Sequence, residues 1–506
     1  MSDPQAKPER SAQSHMARGS IWAIGARWSL RLLGLISTII LARLLTPADY
    51  GVVAIAMIIV GTVEVFSQTG QYSAIIRHPN PTREHYDSAW TVSLLLGLGL
   101  GVIILAATPL TTAYVHEPNA SLVVMILAFR TMLLGTQNIG IVNFRRHLQF
   151  QKQFWFNFYP SVIAFVTTVV AAWVLRNYWA LVIGIMSQHV ATVVLSYTME
   201  PFRPRLGFSK VREIWGFSIW TLFRSIGNYA HSELDKIAIG GFAGAAAMGR
   251  YDVSRDIAIS PVHELIDPMV SMLLPVMARV QADHAKRREL YLSVLSWSAL
   301  ICTSTSVGVA LISVDMVDLL LGSKWHDVSP LIPWFALSAG LVSMSSSVYS
   351  AFDTIGRPVV SARLQWLRVL VLGAAVFPVA FYFRDLHAVV VTRFLVAVVI
   401  TPTLFYALSK ALDIPLRDFA FATWRPFLAG VPLAIVVLGV NAAIDFTGTP
   451  RLLLDIALGA STYVASVMLF WVLSGRPEGP ERVAWEYFRP WLALLRQQWV
   501  SLFKAV

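Results

Sequence analysis

Some charged and polar side chains of this 506-residue chain recur at helical spacing within runs that are otherwise apolar. Arg224, Asn228, His231 and Asp235 fall at steps of four, three and four, which is one continuous face of a 3.6-residue helix. Asp252, Asp256, Ser260, His263 and Asp267 repeat that pattern, beside Arg255 and Glu264. Arg27 and Arg31 lie one turn apart, Glu64, Gln68 and Gln71 form a shorter stripe, and Arg130, Gln137 and Asn138 fall roughly on one face. Arginine suits phosphate, because its planar fork bonds two oxygens at once and stays charged. A carboxylate inside a membrane exchanges a proton or holds a cation, which makes Glu64, Asp235 and Asp256 candidates for ion coupling. The chemistry on offer is therefore anion binding linked to an ion gradient. Signatures of bond-making catalysis are missing: there is no G-x-x-x-x-G-K-[ST] loop, no H-E-x-x-H, no C-x-x-C and no D-x-D pair, and the eleven His are scattered. No catalytic residue, metal ligand or cofactor is assigned. Gly97-Leu98-Gly99-Leu100-Gly101 mimics a dinucleotide loop, but it lies in an apolar run, where small residues let helix backbones approach.

The elements that carry these residues follow from composition. Apolar residues make up 56% of the chain, charged residues 14%, and the mean hydropathy is +0.61. A soluble surface needs roughly 25% charge, so the solvent is largely lipid and the backbone must pair within helices or a closed barrel. Apolar runs near ~20 residues select helices. About fourteen spans are expected: 20–42, 52–76, 87–108, 120–142, 158–175, 179–199, 214–240, 251–275, 290–312, 330–352, 361–383, 388–409, 424–444 and 452–473. The polar start and the long first apolar run do not read as a cleaved leader. With the N-terminus in the cytoplasm, twenty-six of the forty Lys and Arg fall in cytoplasmic segments, six in outer loops and eight within spans. That asymmetry places both termini inside and accounts for the net charge of +11 without nucleic acid as a partner. The single cysteine, Cys302, excludes an intramolecular disulfide.

A repeat is visible. Ser20-Ile21-Trp22 recurs as Ser218-Ile219-Trp220, and Ala48 and Gly51 recur as Ala246 and Gly249, all at one offset (218 − 20 = 198). The first span thus matches the seventh, six helices on, so two six-helix lobes are expected with a pseudo-two-fold axis along the membrane normal. The expected organisation is a cytoplasmic tail 1–18, an N-lobe 19–199, a C-lobe 214–409, two extra helices in 424–473, and a cytoplasmic interfacial helix 481–506. In that last segment Arg482, Arg489, Arg496 and Lys504 share a face amid Trp and Phe.

Each charge within a span costs ~2.5–3.5 kcal/mol on insertion scales and must face a bundle interior or water. These charges concentrate on spans one, two, seven and eight, the corresponding first pairs of the two repeats. One account is pairing, for example Arg224 with Glu64 or Arg255 with Asp235, which would hold helices together. The other is a hydrated, net-cationic chamber for a ligand with an anionic head and a lipid tail. An all-α polytopic membrane transporter is expected, not an enzyme. The weighed alternatives are a multidrug exporter, which would favour an acidic cavity, and an integral membrane polysaccharide polymerase or ligase, which would need a large outer catalytic loop.

Leu45-Thr46-Pro47-Ala48-Asp49-Tyr50-Gly51, preceded by Ala42-Arg43-Leu44, resembles the helix-one exit of Wzx-type polysaccharide flippases. These belong to the multidrug/oligosaccharidyl-lipid/polysaccharide exporter superfamily. Phe144-Arg145-Arg146-His147-Leu148-Gln149-Phe150 is similar to the basic loop of the colanic-acid-exporter branch. The resemblance covers most of residues 15–420. It implies flipping of an undecaprenyl-diphosphate-linked oligosaccharide from the cytoplasmic to the periplasmic leaflet of a bacterial inner membrane. The product would serve exopolysaccharide, capsule or O-antigen synthesis. It further implies alternating access driven by a proton or sodium gradient, contact with membrane lipids, and polymerase and glycosyltransferase partners from the same pathway. By helix position it assigns the diphosphate to Arg27, Arg31, Arg224 and Arg255, with Arg130 and Asn228 added from the polar faces.

Overall fold

The computed structural model describes residues 28–67, 71–115, 118–215, 218–279, 283–443 and 448–487, with Gly25 and Arg489. The described residues are helical, with no strand among them. The helices are α1 (28–44), α2 (Pro47–Glu64), α3 (Gln71–Arg77), α4 (Arg83–Val115), α5 (Pro118–Gly135), α6 (Val142–Arg146), α7 (Phe150–Leu175), α8 (Trp179–Met199), α9 (Val211–Trp215), α10 (Ser218–Gly240) and α11 (Ala245–Arg279). They continue with α12 (His284–Leu311), α13 (Ser313–Leu320), α14 (Ile332–Thr354), α15 (Pro358–Phe383), α16 (Leu386–Leu412), α17 (Leu416–Ala443), α18 (Thr449–Leu473) and α19 (480–487). By contacts the chain divides into two compact units, Met1–Asp252 and Val253–Val506, so α10 belongs with the first unit.

Ten of these helices are long and apolar enough to cross a membrane, or eleven if a bent pair counts as one span. The difference from fourteen has physical causes. Part of the first span lies outside the described residues. The helices α10 and α11 carry too many charges to pass on apolarity. The expected span 120–142 is broken: α5 ends at Gly135, and the chain resumes in Ile139–Arg146 after a 67° bend. The expected span 52–76 is also corrected. Its helix starts at Pro47, passes into a 3-10 turn at Val65–Ser67, and Gln71 opens the separate helix α3.

The recognition motif of the first loop is a helix start. Thr46 caps α2, its side chain accepting from Asp49 N while Asp49 accepts from Thr46 N at 2.9 Å, and Pro47 takes the first helical position, where its missing N–H costs nothing. In the first unit α4 packs on α5 through glycines. A Cβ at Gly97 would lie 2.7 Å from Gly135 Cα, and one at Gly101 would lie 2.4 Å from Met132 Cγ. The Gly97–Gly101 run is thus a packing surface, as its apolar setting requires; Gly99 faces open space. Helices α7 and α8 meet the same way, Gly184 against Thr168.

In the second unit α12 packs between α14 and α17, and α18 lies on α17. Tyr291 pairs with Ser347 at 3.1 Å, and the Tyr463 hydroxyl donates to Leu300 O at 3.0 Å. The start of the expected interfacial tail is tied down rather than floating. Glu481 at the head of α19 and Arg425 on α17 are both buried and meet at 3.0 Å. The remainder of that tail lies outside the described residues.

Candidate functional site

A closed polar network joins α2, α5 and α8. Arg130 Nη2 lies 3.2 Å from Glu64 Oε2, and Thr131 Oγ1 donates to Glu64 Oε1 at 2.5 Å. Arg130 Nε donates to His189 Nε2 at 3.2 Å, and His189 Nδ1 faces Ile185 O at 2.6 Å. His189 therefore carries its proton on Nδ1 and is neutral, since one nitrogen accepts and the other donates. Both carboxylate oxygens of Glu64 are taken, and Arg130 Nη1 meets Met57 Sδ at 3.9 Å. The two side chains are mostly buried, at 11% and 18% exposure. In this arrangement they pin three helices. Of the stripe expected to continue from Glu64, Gln71 sits on α3, and Gln68 lies outside the described residues.

Gln137 and Asn138 are not on the helix of Arg130. Asn138 is buried after α5 ends; its Oδ1 accepts from Gly140 N at 2.9 Å and its Nδ2 donates to Phe202 O at 2.6 Å, which braces the bend. The basic motif beyond it is half structural. Arg146 donates to the carbonyls of Ile75, His78 and Pro79 at 2.8–2.9 Å and so terminates α3, whereas Arg145 is exposed.

Helix α10 carries the stripe that runs from Arg224 to Asp235. Asp235 is fully buried; it accepts from the Tyr251 hydroxyl, and its Oδ1 accepts from Lys236 N at 3.1 Å. Lys236 Nζ reaches Glu233 at 2.9 Å and Asp252 at 2.5 Å, joining the end of α10 to the start of α11. Tyr229 donates to Ile58 O at 2.8 Å and lies 3.3 Å from Thr62 Oγ1, which seats α10 on α2 where Gly61 leaves room. Asn228 is exposed on α10. Arg224 is helical, but its side chain lies outside the described residues, as does all of Arg27. Arg31 is half-buried on α1. On α11, Arg255 is half-buried, Asp256 is exposed and accepts from Ser260 Oγ at 3.3 Å, and His263 lies 3.9 Å from Asp267. Glu64 thus pairs with Arg130, and Asp235 with a tyrosine.

Sequence reasoning missed how the repeat closes on itself. A Cβ at Gly51 would stand 1.6 Å from Ala245 O, and a Cβ at Gly249 would stand 1.9 Å from Pro47 O. Pro47 and Ala245 are separated by the same offset as Gly51 and Gly249, so the contact is reciprocal: each helix start rests on the equivalent point of the other. The signal was present, since a two-fold axis brings equivalent residues together where it passes through a contact.

Residues 40–330, more than half of the chain, match the family described as "Polysaccharide biosynthesis protein". The solved structure of the lipid II flippase MurJ in an inward closed conformation covers 90% of this chain and 99% of its own at a TM-score of 0.70 and 12% identity. An inward-facing multidrug MATE transporter of the MOP superfamily covers 77% of this chain and 99% of its own at 0.56 and 15% identity. The fold is therefore that of the multidrug/oligosaccharidyl-lipid/polysaccharide exporter superfamily, a polytopic membrane protein built of helices. Among curated relatives, the lipopolysaccharide biosynthesis protein WzxC of Escherichia coli (strain K12) is 22% identical over 81% of this chain and 86% of its own. The succinoglycan biosynthesis transport protein ExoT of Rhizobium meliloti (strain 1021) is 21% identical over 82% and 84%. The chain belongs to the polysaccharide biosynthesis protein family.

Proposed function

We propose that this chain is a transporter that flips a lipid-diphosphate-linked oligosaccharide from the cytoplasmic to the periplasmic leaflet of a bacterial inner membrane. The observation that carries the reading is the contrast between α10–α11 and the other long helices. Ten are apolar enough for lipid, while these two carry Arg224, Asn228, Glu233, Asp235, Lys236, Asp252, Arg255 and Asp256. Charges on membrane helices are retained where they face protein or water and act on a substrate. Asn228 is exposed and Arg31 and Arg255 are half-buried, positions from which polar side chains can meet an anionic head group. Arginine at these places favours a diphosphate over the cationic drugs of a multidrug exporter. Flipping is coupled to a proton or sodium gradient, and the exposed carboxylate of Asp256 is better placed for exchange with water than the mostly buried Glu64 or the fully buried Asp235. Both termini face the cytoplasm, and pathway glycosyltransferases and a polymerase supply and consume the cargo.

The test is a strain that depends on this chain for its surface polymer, carrying Arg31→Ala with Arg255→Ala. At wild-type membrane levels the polymer should be lost and lipid-linked repeat units should accumulate on the cytoplasmic leaflet. Normal polymer would reject the assignment, and altered drug tolerance with normal polymer would favour the exporter reading.

A further inference from the structure

Three side chains outside the proposed transport route meet where α3, α4 and α9 come together. One nitrogen each of His78 and His85 and one carboxylate oxygen of Glu213 lie within 4.8 Å of one another. The residues come from three places in the chain: the turn after α3, the first turn of α4, and the middle of α9. The imidazole rings are 4.4 Å apart and inclined by 46°, and His85 Nε2 is 3.1 Å from Glu213 Oε2. His78 Nδ1 is buried and makes no hydrogen bond. A buried imidazole nitrogen without a partner needs an explanation, and a bound ion supplies one.

We propose that His78, His85 and Glu213 bind a borderline divalent transition-metal ion, with Zn2+ as the representative. Two imidazoles and a carboxylate are a common zinc donor set, leaving a fourth position for water. Zinc–ligand bonds of about 2.0–2.2 Å in a tetrahedron set neighbouring ligand atoms about 3.3 Å apart. The His85–Glu213 separation already matches, and the third ligand closes by side-chain rotation. His85 Nδ1 accepts from Thr82 N at 3.1 Å and lies 2.8 Å from Thr82 Oγ1, which holds the ring in orientation with its proton on Nε2, toward Glu213. A metal at Nε2 displaces that proton to Nδ1, which then donates to Thr82 Oγ1 in place of accepting from the amide. Glu213 Oε1 is occupied by Lys210 Nζ at 2.7 Å, so the metal takes Oε2 alone.

The consequence is mechanical. Helix α9 belongs to the connection that leads into α10, and the two histidines belong to the α3–α4 turn. A metal bound here fastens that connection to the α3–α4 turn.

The experiment uses the full-length protein without a polyhistidine tag, purified in detergent, with Zn2+ as the probe. Retained zinc is measured after desalting, and trypsin cleavage after Lys210 and Arg212 is followed with and without zinc. Wild type should hold one equivalent, and cleavage should slow severalfold when zinc is added. Glu213→Gln keeps a hydrogen-bonding partner for His85 on an exposed side chain, and His78→Asn leaves the α4 cap untouched, so both should elute as wild type. Loss of an outer-shell partner alone weakens metal affinity about 10–100-fold, so loss of a ligand should weaken it at least as much. Cobalt substitution should show the visible absorption of a tetrahedral site in wild type only. A wild type that retains no zinc, variants that retain it as tightly, or zinc that leaves the cleavage rate unchanged would each overturn the proposal.

Discussion

Replacing Gly51 by Ala adds a methyl group where backbone already stands. Its carbon would lie 1.6 Å from Ala245 O, and that of Gly249→Ala would lie 1.9 Å from Pro47 O. An ordinary carbon–oxygen contact is near 3.4 Å. The two helix starts must therefore part by about 1.8 Å for the first variant and about 1.5 Å for the second, and overpacking of this kind costs typically 1–3 kcal/mol. That is about a 5–150-fold shift against the joined state. Each backbone carbonyl is held in its own helix and cannot rotate away as a side chain can. The contact is reciprocal, so one parting makes room for both methyl groups. The double variant should cost little more than Gly51→Ala alone, a strong departure from additivity. The assay is thermal unfolding of the purified full-length protein, with polymer export measured alongside. Both single variants should lower the apparent Tm, and the double variant should fall close to the worse single one. Gly99→Ala is the control. Its Cβ meets nothing within 4 Å, and it should be neutral or gain up to about 1 kcal/mol from helix propensity. Two single variants with wild-type Tm, or strictly additive losses, would refute the reciprocal contact.

The buried Arg425–Glu481 pair makes a second test. Arg425→Ala strands a buried carboxylate and should cost about 3–5 kcal/mol, whereas Arg425→Met with Glu481→Leu should lose far less; equal losses in thermal unfolding would contradict the pairing. Glu64→Ala removes the acceptor shared by Arg130 and Thr131 and should destabilise by about 1–3 kcal/mol, while Glu64→Gln should be milder; wild-type stability for Glu64→Ala would show that the network holds nothing. Asp283 caps α12 through the amides of Ala285 and Lys286, which hold its carboxyl below the usual carboxylate range. A carboxyl with a lowered folded pKa stabilises above its unfolded pKa, and that contribution fades as pH falls through the folded value. Asp283→Ala should therefore flatten the acid side of the stability profile while lowering stability at neutral pH; an unchanged acid limb would refute the cap.

The architecture was legible in the sequence because lipid imposes a coarse rule. A run of apolar residues long enough to span must be a helix, and ten of the described helices are long and apolar enough to cross, up to eleven with the bent pair. The same rule does not see bends. At Gly135 and Ser67 the chain turns where buried Asn138 satisfies the freed backbone groups and where Val65–Ser67 tightens into a 3-10 turn, and hydropathy is blind to both. Spacing also put Arg224, Asn228, His231 and Asp235 on one face of α10, because 3.6-residue periodicity is a local property of the chain.

Partnership was not local, and only the tertiary structure decided it. Glu64 takes Arg130, which comes from α5, and Asp235 accepts from Tyr251. A carboxylate desolvated within a bundle takes whichever donor the packing brings within about 3 Å, and sequence spacing carries no such distance. The repeat shows both sides of the division. The sequence aligned Gly51 with Gly249; the fold brought each against the other's helix start, because equivalent points meet where a two-fold axis crosses a contact.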